Sequence, residues 1–268
     1  MKPKYSSLLR QQQEPRLSQE LATSQLATSA PSGMLPGTTM ESEIVGEDFL
    51  DFKCPYCGAL NSFPGSAAGL ARECLNCLET FLVPVKDGAA ARILPLPIES
   101  TRLRLRRFEP GDWKDLLEFE FDDEDTATSW LHGISQVRLA EGRQPFYLAI
   151  EALAAKKVIG SLSLMFTDPA LNQMEISFTA GAADSLPGWE REALDAALDF
   201  CFQELHLHRV CAQCNSGESE LRQLFQETGL RQEAEFVKNR FVDGEWLTTL
   251  WFAVLEDEYF SEPGAPVS

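Results

Sequence analysis

Four of the seven cysteines fall in two close pairs, Cys54-Pro-Tyr-Cys57 and Cys74-Leu-Asn-Cys77, with residues 58–73 between them. A C-x2-C turn aims two thiolates at one ion, and two such turns complete a tetrahedral set of four. Gly58 suits the tight turn after the first pair, and Phe52, Phe63, Phe81 and Val83 supply a thin apolar layer. A module this short buries too little surface to hold itself together, so a bound metal has to supply much of its folding free energy. Residues 49–86 are therefore predicted to form a zinc ribbon, with Cys54, Cys57, Cys74 and Cys77 as ligands of a structural Zn that has no open coordination position. Two disulfides or a redox pair are the alternatives, and disulfides suit a cytoplasmic chain poorly. The segment between the pairs carries a single arginine, Arg72, which speaks against a nucleic-acid ribbon and for docking on a protein partner or for spacing.

The 268 residues suffice for one ordinary domain and something small. Residues 1–48 are rich in Gln, Ser, Thr, Ala and Pro, repeat LATS twice, and read as a disordered tail. Residues 87–98 read as a linker, residues 99–258 as the main domain, and residues 259–268 as a second tail. No run of about 18 apolar residues is present, so no membrane span is expected. The N-terminal stretch lacks the apolar segment of a secretory signal, and a cytoplasmic location is expected. The net charge is −18, concentrated in residues 91–268, which carry 16 Lys and Arg against 31 Asp and Glu. Nucleic-acid affinity comes largely from cationic side chains on phosphates, so no nucleic-acid partner is expected. An acidic surface is compatible with a cationic partner, although solubility alone accounts for it.

From Thr101 the pattern becomes regular. TRLRLRRF (101–108) alternates as a strand, and Pro110-Gly111-Asp112 opens a helix carrying Trp113, Leu116, Leu117 and Phe119. The acidic run Glu118–Asp125 reads as an interruption before a second helix with Trp130, Leu131, Ile134, Val137 and Leu139. FYLAIEAL and KVIGSLSLMF form a hairpin, NQMEISFTA a strand, and residues after Gly188 a helix. HRVCAQC reads as a strand, in which Cys211 and Cys214 face opposite ways and are not joint ligands. A short helix ends at Gly229, and a hairpin turns at Asp243-Gly244. Strands with helices between them and a terminal hairpin give an α/β (α+β) fold with a mixed sheet. Trp246 and Trp251 are expected in the core.

In order and in residues this part resembles the GNAT N-acetyltransferase superfamily, in particular the branch of ribosomal-protein alanine N-acetyltransferases. TRLRLRRFEPGDWKDLLEF is similar to that branch's first strand and helix, VIGSLSL to its third strand, and GEWLTTLWFAVLEDEY to its closing strand. The family run EIGY-x7-GKGYATEALRALLRFAF-EELGLHR lies over EISF-x7-LPGWEREALDAALDFCFQELHLHR without a gap. The resemblance implies a GNAT-like, mostly antiparallel sheet flanked by helices, with acetyl-CoA as acyl donor. Its pyrophosphate would lie on backbone N–H groups of the turn and helix start at Gly188, Trp189 and Arg191.

This chain departs from the family at that turn. Leu186 replaces the first Gly, Pro187 the Lys, Trp189 the Tyr and Glu190 the Ala. Pro187 removes a backbone donor, Leu186 adds a side chain where backbone should approach phosphate, and Glu190 puts a carboxylate in the first turn. Arg191 offers partial compensation. Further on, Glu218 and Leu221 replace the family's Asn and Ser near the coenzyme, with Asn215 and Ser219 close by as substitutes. Phe225 stands where many relatives carry a Tyr proton donor.

The resemblance implies direct acyl transfer, with the thioester carbonyl held by backbone N–H groups around Phe178 and Thr179. Glu175 is the general-base candidate, acting directly or through water; a structural strand carboxylate is the competing reading. The acidic segment Phe121–Asp125 is placed by the acceptor groove. Two functions follow. One is an N-acetyltransferase acting on an amine, either a protein N-terminus or a small cationic molecule. The other is a catalytically inactive GNAT-fold interaction module docked through its ribbon. A donor other than acetyl-CoA is a third, weaker reading.

Overall fold

The computed structural model describes residues 48–85, 89–137, 139, 144–168, 172–181 and 186–261. Residues 1–47 of the expected first tail and 262–268 of the second lie outside these. At the N-terminal end β1 (Phe49–Lys53) pairs antiparallel with β2 (Leu60–Pro64), and β3 (Ala71–Glu73) with β4 (Thr80–Leu82). Each hairpin begins beside one cysteine pair, and the two turns repeat one hydrogen-bond pattern. Gly58 N donates to Cys54 O, and Leu78 N to Cys74 O, both at 3.0 Å. Gly58 takes a left-handed φ of 72°, which costs glycine nothing, whereas Leu78 is held at 61° by the same turn. The rings of Phe52, Phe63 and Phe81 pack with centroids 5.3–6.1 Å apart and form the thin apolar layer with Val83.

The stretch expected to be a linker instead contributes two strands. β5 (Arg92–Ile93) pairs with β4, and β6 (Ile98–Glu99) pairs with β7 (Leu103–Arg107) at the edge of the main sheet. Backbone groups of this connector are thereby met by strands as well as by water. Ala71, Leu82 and Leu94 are buried within the main core, and Arg92 pairs with Glu204 at 2.6 Å. The second cysteine-bearing hairpin thus packs on the main core through Ala71 and Leu82.

The remaining elements are α1 (Trp113–Leu116), α2 (Glu124–Ser135), β8 (Phe146–Ala152), β9 (Lys157–Asp168), β10 (Gln173–Ala180), α3 (Trp189–Asp199), β11 (Arg209–Asn215), α4 (Ser219–Glu227), β12 (Arg231–Val242), β13 (Glu245–Leu255) and α5 (Glu256–Phe260). A π-helical turn over Phe200–Glu204 extends α3. The eight strands run β12-β13-β11-β10-β9-β8-β7-β6, and every neighbouring pair is antiparallel except β10 with β11. This is the mixed, mostly antiparallel sheet the sequence led us to expect.

The two-residue period of the strands sorts the side chains. One face presents Leu162, Leu164, Met174, Ile176, Phe178, Val210 and Ala212 to the Trp189, Ala193, Leu194, Ala197 and Leu198 stripe of α3. On the other face Ala149 and Val158 meet Leu116, Phe119, Phe121, Ala127 and Leu131 from the α1–α2 layer. The acidic run does more than interrupt. Asp123 caps α2, accepting from Thr126 N at 2.8 Å, so Glu124 and Asp125 fall in the first helical turn, where the helix dipole favours them. Trp246, expected in the core, is 58% exposed and packs on Phe241 beside the Asp243-Gly244 turn. Among the described residues no helix is long and apolar enough to cross a membrane.

Candidate active site and candidate metal centre

β10 and β11 pair in parallel only from Gln173–Ile176 against Arg209–Ala212. From Ser177 onward β10 stays on β9, while β11 stays on β13 as far as Asn215. The two strands part, and a wedge opens beside Phe178 and Thr179. The end of β11 is stabilised without its missing neighbour, since Asn215 N donates to Glu218 Oε2 at 2.7 Å. Burial pushes the Glu218 carboxyl up, against the opposing pull of the Asn215 N–H and of Arg240.

On the α3 side of the wedge lies a groove of about 320 Å³. Phe178, Leu221 and Leu224 give it an apolar lining, and Gly188, Glu190, Arg191, Glu220 and Glu227 surround it. Gly188 forms the N-cap of α3 in a left-handed conformation, φ 74°, as its missing Cβ allows. The turn is clamped from behind. Arg102 donates to Pro187 O at 3.1 Å and to Glu192 Oε2 at 2.6 Å, and Glu192 Oε1 accepts from Ser100 Oγ and Arg102 N, each at 2.8 Å. Glu192 is thus occupied away from this groove, whereas Glu190 lines it. Arg191, expected to offset the lost phosphate contacts, is engaged with Asp195 at 3.2 Å and Glu227 at 3.9 Å. Leu186, expected to obstruct the turn, packs instead against the main core. Trp189 likewise leaves the groove. Its ring is fully buried against Phe178, centroids 5.4 Å apart, and over Gly160. The Trp189 Nε1–H has no hydrogen-bond partner, a cost of about 1–3 kcal/mol that the burial of the indole has to offset.

Glu175 and Asn215 belong to the opposite face of the sheet. Glu175 is 6% exposed, and its Oε1 accepts from Gln213 Nε2 at 2.6 Å. Burial raises the Glu175 pKa, while the Gln213 hydrogen bond and the Arg240 charge act against that rise. A carboxylate so placed holds a proton more tightly than a solvated one, which suits a general base. Asn215 Oδ1 and its cross-strand neighbour's Thr249 Oγ1 are buried without hydrogen-bond partners. Tyr147, two strands from Glu175, packs its ring on Trp130 at 5.1 Å, and burial followed by the Glu120 charge pushes its hydroxyl up to about 12. The structure thus gathers Phe178, Gly188 and Arg191 at the groove, sets Thr179 at the wedge and Glu175 and Asn215 on the other face, and withdraws Trp189 into the core. Gln213, Arg240 and Tyr147 carried no signal in the sequence, and Gln213 meets Glu175 only because β11 pairs with β10.

The four ribbon cysteines converge. Their sulfurs all lie within 4.8 Å of one another, with Cys54–Cys77 at 3.8 Å and Cys57–Cys74 at 3.7 Å. A tetrahedral zinc site with Zn–S near 2.3 Å has edges of about 3.8 Å, so these separations fit a shared ion and are far too long for a disulfide. Tyr56 N donates to Cys54 Sγ and Asn76 N to Cys74 Sγ, both at 3.4 Å. Buried Asn61, which the sequence analysis passed over, donates to Cys74 Sγ at 3.5 Å and accepts from Leu75 N at 2.9 Å. It links one hairpin to the other cysteine turn. Such donors favour the thiolate form that a metal needs.

Residues 102–231 match the family model of the acetyltransferase (GNAT) domain. The uncharacterized N-acetyltransferase YnaD of Bacillus subtilis is 32% identical over 72 residues, which are 27% of this chain and 42% of that protein; the match therefore spans less than half the length of the curated relative. A GCN5-related N-acetyltransferase from Brucella melitensis superposes with a TM-score of 0.52 at 24% identity, over 61% of this chain and 80% of its own. A chimeric spermidine N-acetyltransferase from Vibrio cholerae and hSSAT superposes with a TM-score of 0.51 at 20% identity, over 60% and 100%. The fold of the main unit is GNAT-like.

Proposed function

We propose that this chain is a GNAT-type N-acyltransferase that moves an acetyl group from a thioester donor, acetyl-CoA in the family's usual case, to an amine. The observation that carries the reading is the parting of β10 and β11 after Ile176 and Ala212, with an apolar-lined groove on one side of the sheet and a desolvated carboxylate, Glu175, on the other. The thioester carbonyl oxygen accepts from backbone N–H groups around Phe178 and Thr179 as negative charge develops on it. The amine gives a proton to Glu175, directly or through one water, and its nitrogen attacks the carbonyl carbon. The C–N bond forms and the C–S bond breaks; the second surplus proton on the nitrogen passes to solvent, and the departing thiolate takes a proton from solvent. A protein N-terminus or a small cationic amine is the acceptor class. One structural neighbour is a spermidine N-acetyltransferase, and the acidic charge of this chain suits a cation.

In the same reading Cys54, Cys57, Cys74 and Cys77 hold a structural zinc, which supplies folding free energy and no chemistry. Cysteines in this number without a disulfide among them suit a cytoplasmic setting. The acidic surround of the groove, with Arg191 already engaged, favours a second reading, a catalytically inactive GNAT-fold module that meets a protein partner through its ribbon. Amide resonances of Phe178 and Thr179, followed by NMR during addition of an acetyl thioester, separate the two. Saturable shifts at these residues support the transferase, and unchanged resonances up to millimolar thioester favour the inactive module.

A further inference from the structure

We infer that Glu190, Glu220 and Glu227 are specificity-determining residues of the donor groove, selecting a pantetheine thioester that carries no diphosphate over one that does. The inference rests on the proposed reading of this groove as the donor site and names the donor class it takes. A diphosphate needs free backbone N–H groups or free cations at the helix start. Here Pro187 has no N–H, and Arg191 is held by Asp195 and Glu227. Glu227 is fixed in turn by Gln223, whose Nε2 donates to its Oε1 at 2.6 Å. Three carboxylates from two helices thus line the groove beside Gly188, where the resemblance would place the diphosphate, and the one cation among the groove's lining residues, Arg191, is already paired.

The rest of the groove is suited to the other part of such a donor. Phe178, Leu221 and Leu224 offer an apolar wall to a neutral pantetheine arm, and the wedge beside Phe178 receives the thioester. The charge pattern therefore opposes one half of acetyl-CoA and leaves the other half its contacts. Repulsion between like charges at a partly exposed site is strong enough to decide preference and is weakened by salt.

The test compares binding of acetyl-CoA and of S-acetyl-pantetheine to the full, zinc-loaded chain by calorimetry, at low and high sodium chloride. The expected result is that S-acetyl-pantetheine binds at least as tightly as acetyl-CoA, and that acetyl-CoA binding strengthens with salt. In the Glu190→Gln, Glu220→Gln, Glu227→Gln variant the ratio of the two dissociation constants moves about tenfold toward acetyl-CoA, because the repulsion is gone and Arg191 is released. All three side chains lie at the surface or are half-buried, and the variant's melting temperature confirms that it is folded. Acetyl-CoA binding about tenfold or more tighter than S-acetyl-pantetheine, and weakening with salt, overturns the inference while leaving the transferase reading intact. Absence of binding by either compound overturns the donor-site reading, and the inference with it.

Discussion

Gln213 donates its side-chain amide to Glu175 Oε1 across 2.6 Å, joining β11 to β10 at the last stretch where the two strands still pair. The bond fixes the orientation of Glu175, the more deeply buried of the two desolvated carboxylates, Glu175 and Glu218, near the parting of the strands. Because burial dominates, the folded pKa of Glu175 lies above its unfolded value. The native state then holds this proton more tightly than the unfolded chain, so the group's favourable contribution is complete below the unfolded pKa and is lost as pH rises through the folded one.

Glu175→Gln removes that loss. The variant gains stability relative to the parent as pH rises above the ordinary carboxylate range, which chemical denaturation at a series of pH values reads directly. Gln213→Ala acts in the opposite sense on the carboxylate itself, because it deletes a donor to the ionised form and pushes the Glu175 pKa further up. Carbon-detected NMR titration of the Glu175 carboxyl checks the direction.

Glu192 behaves as the mirror case. Burial raises its pKa, but donors from Ser100 and Arg102 outweigh burial and leave it lowered. Its contribution is present above the unfolded pKa and is lost as pH falls through the folded one. Glu192→Gln is expected to cost about 1–2 kcal/mol at neutral pH, a hydrogen-bond figure discounted for the partly exposed Arg102. The difference from the parent shrinks in acid, and urea denaturation at neutral and acid pH measures it.

Gly160 leaves room for the Trp189 ring. A Cβ there would stand 2.4 Å from Trp189 Cη2 and 2.9 Å from Thr179 O. Gly160→Ala is expected to destabilise by about 1–3 kcal/mol, because the indole has no free space into which to retreat. The shift in denaturation midpoint at unchanged slope tests this.

Asn61 is the cleanest probe of the candidate metal centre, since it is not one of the four cysteines. Asn61→Ala is expected to weaken zinc binding about tenfold through the lost donor to Cys74 Sγ. Stripping the metal with a chelator is expected to speed amide exchange in β3, β4 and β5 and to loosen the packing of Ala71 and Leu82 against the main core. Hydrogen exchange with and without chelator reads both effects.

The convergence of Cys54, Cys57, Cys74 and Cys77 was legible because its constraint is local: two residues between thiols and a glycine after the first pair already define the turn. The order of strands and helices was legible from period-two and helical patterns, and the Asp243-Gly244 hairpin from its turn residues. What the pattern did not carry was tertiary. The connector at 92–99 has only two residues in each strand, too few for a period, and pairing with β4 and β7 decides its conformation. Asp123 read as part of a charge run because its capping role depends on where Thr126 N–H points. Leu186 and Trp189 read as groove residues because the turn's alignment fixes their position but not which way they turn, and the space over Gly160 decides that. Gln213 and Arg240 reach Glu175 across strands, a relation without any signature in local sequence.

The central claim is transfer of an acyl group at the wedge between β10 and β11. The most direct measurement is thiol release from S-acetyl-pantetheine and from acetyl-CoA, with spermidine and a free-N-terminus peptide as acceptors, by the zinc-loaded parent and by Glu175→Gln. The account predicts amine-dependent thiol release by the parent, with the acetylated amine appearing in equal amount, and loss of about 100-fold or more in the variant. Thiol release no faster than in buffer, with either donor and either amine, would contradict it.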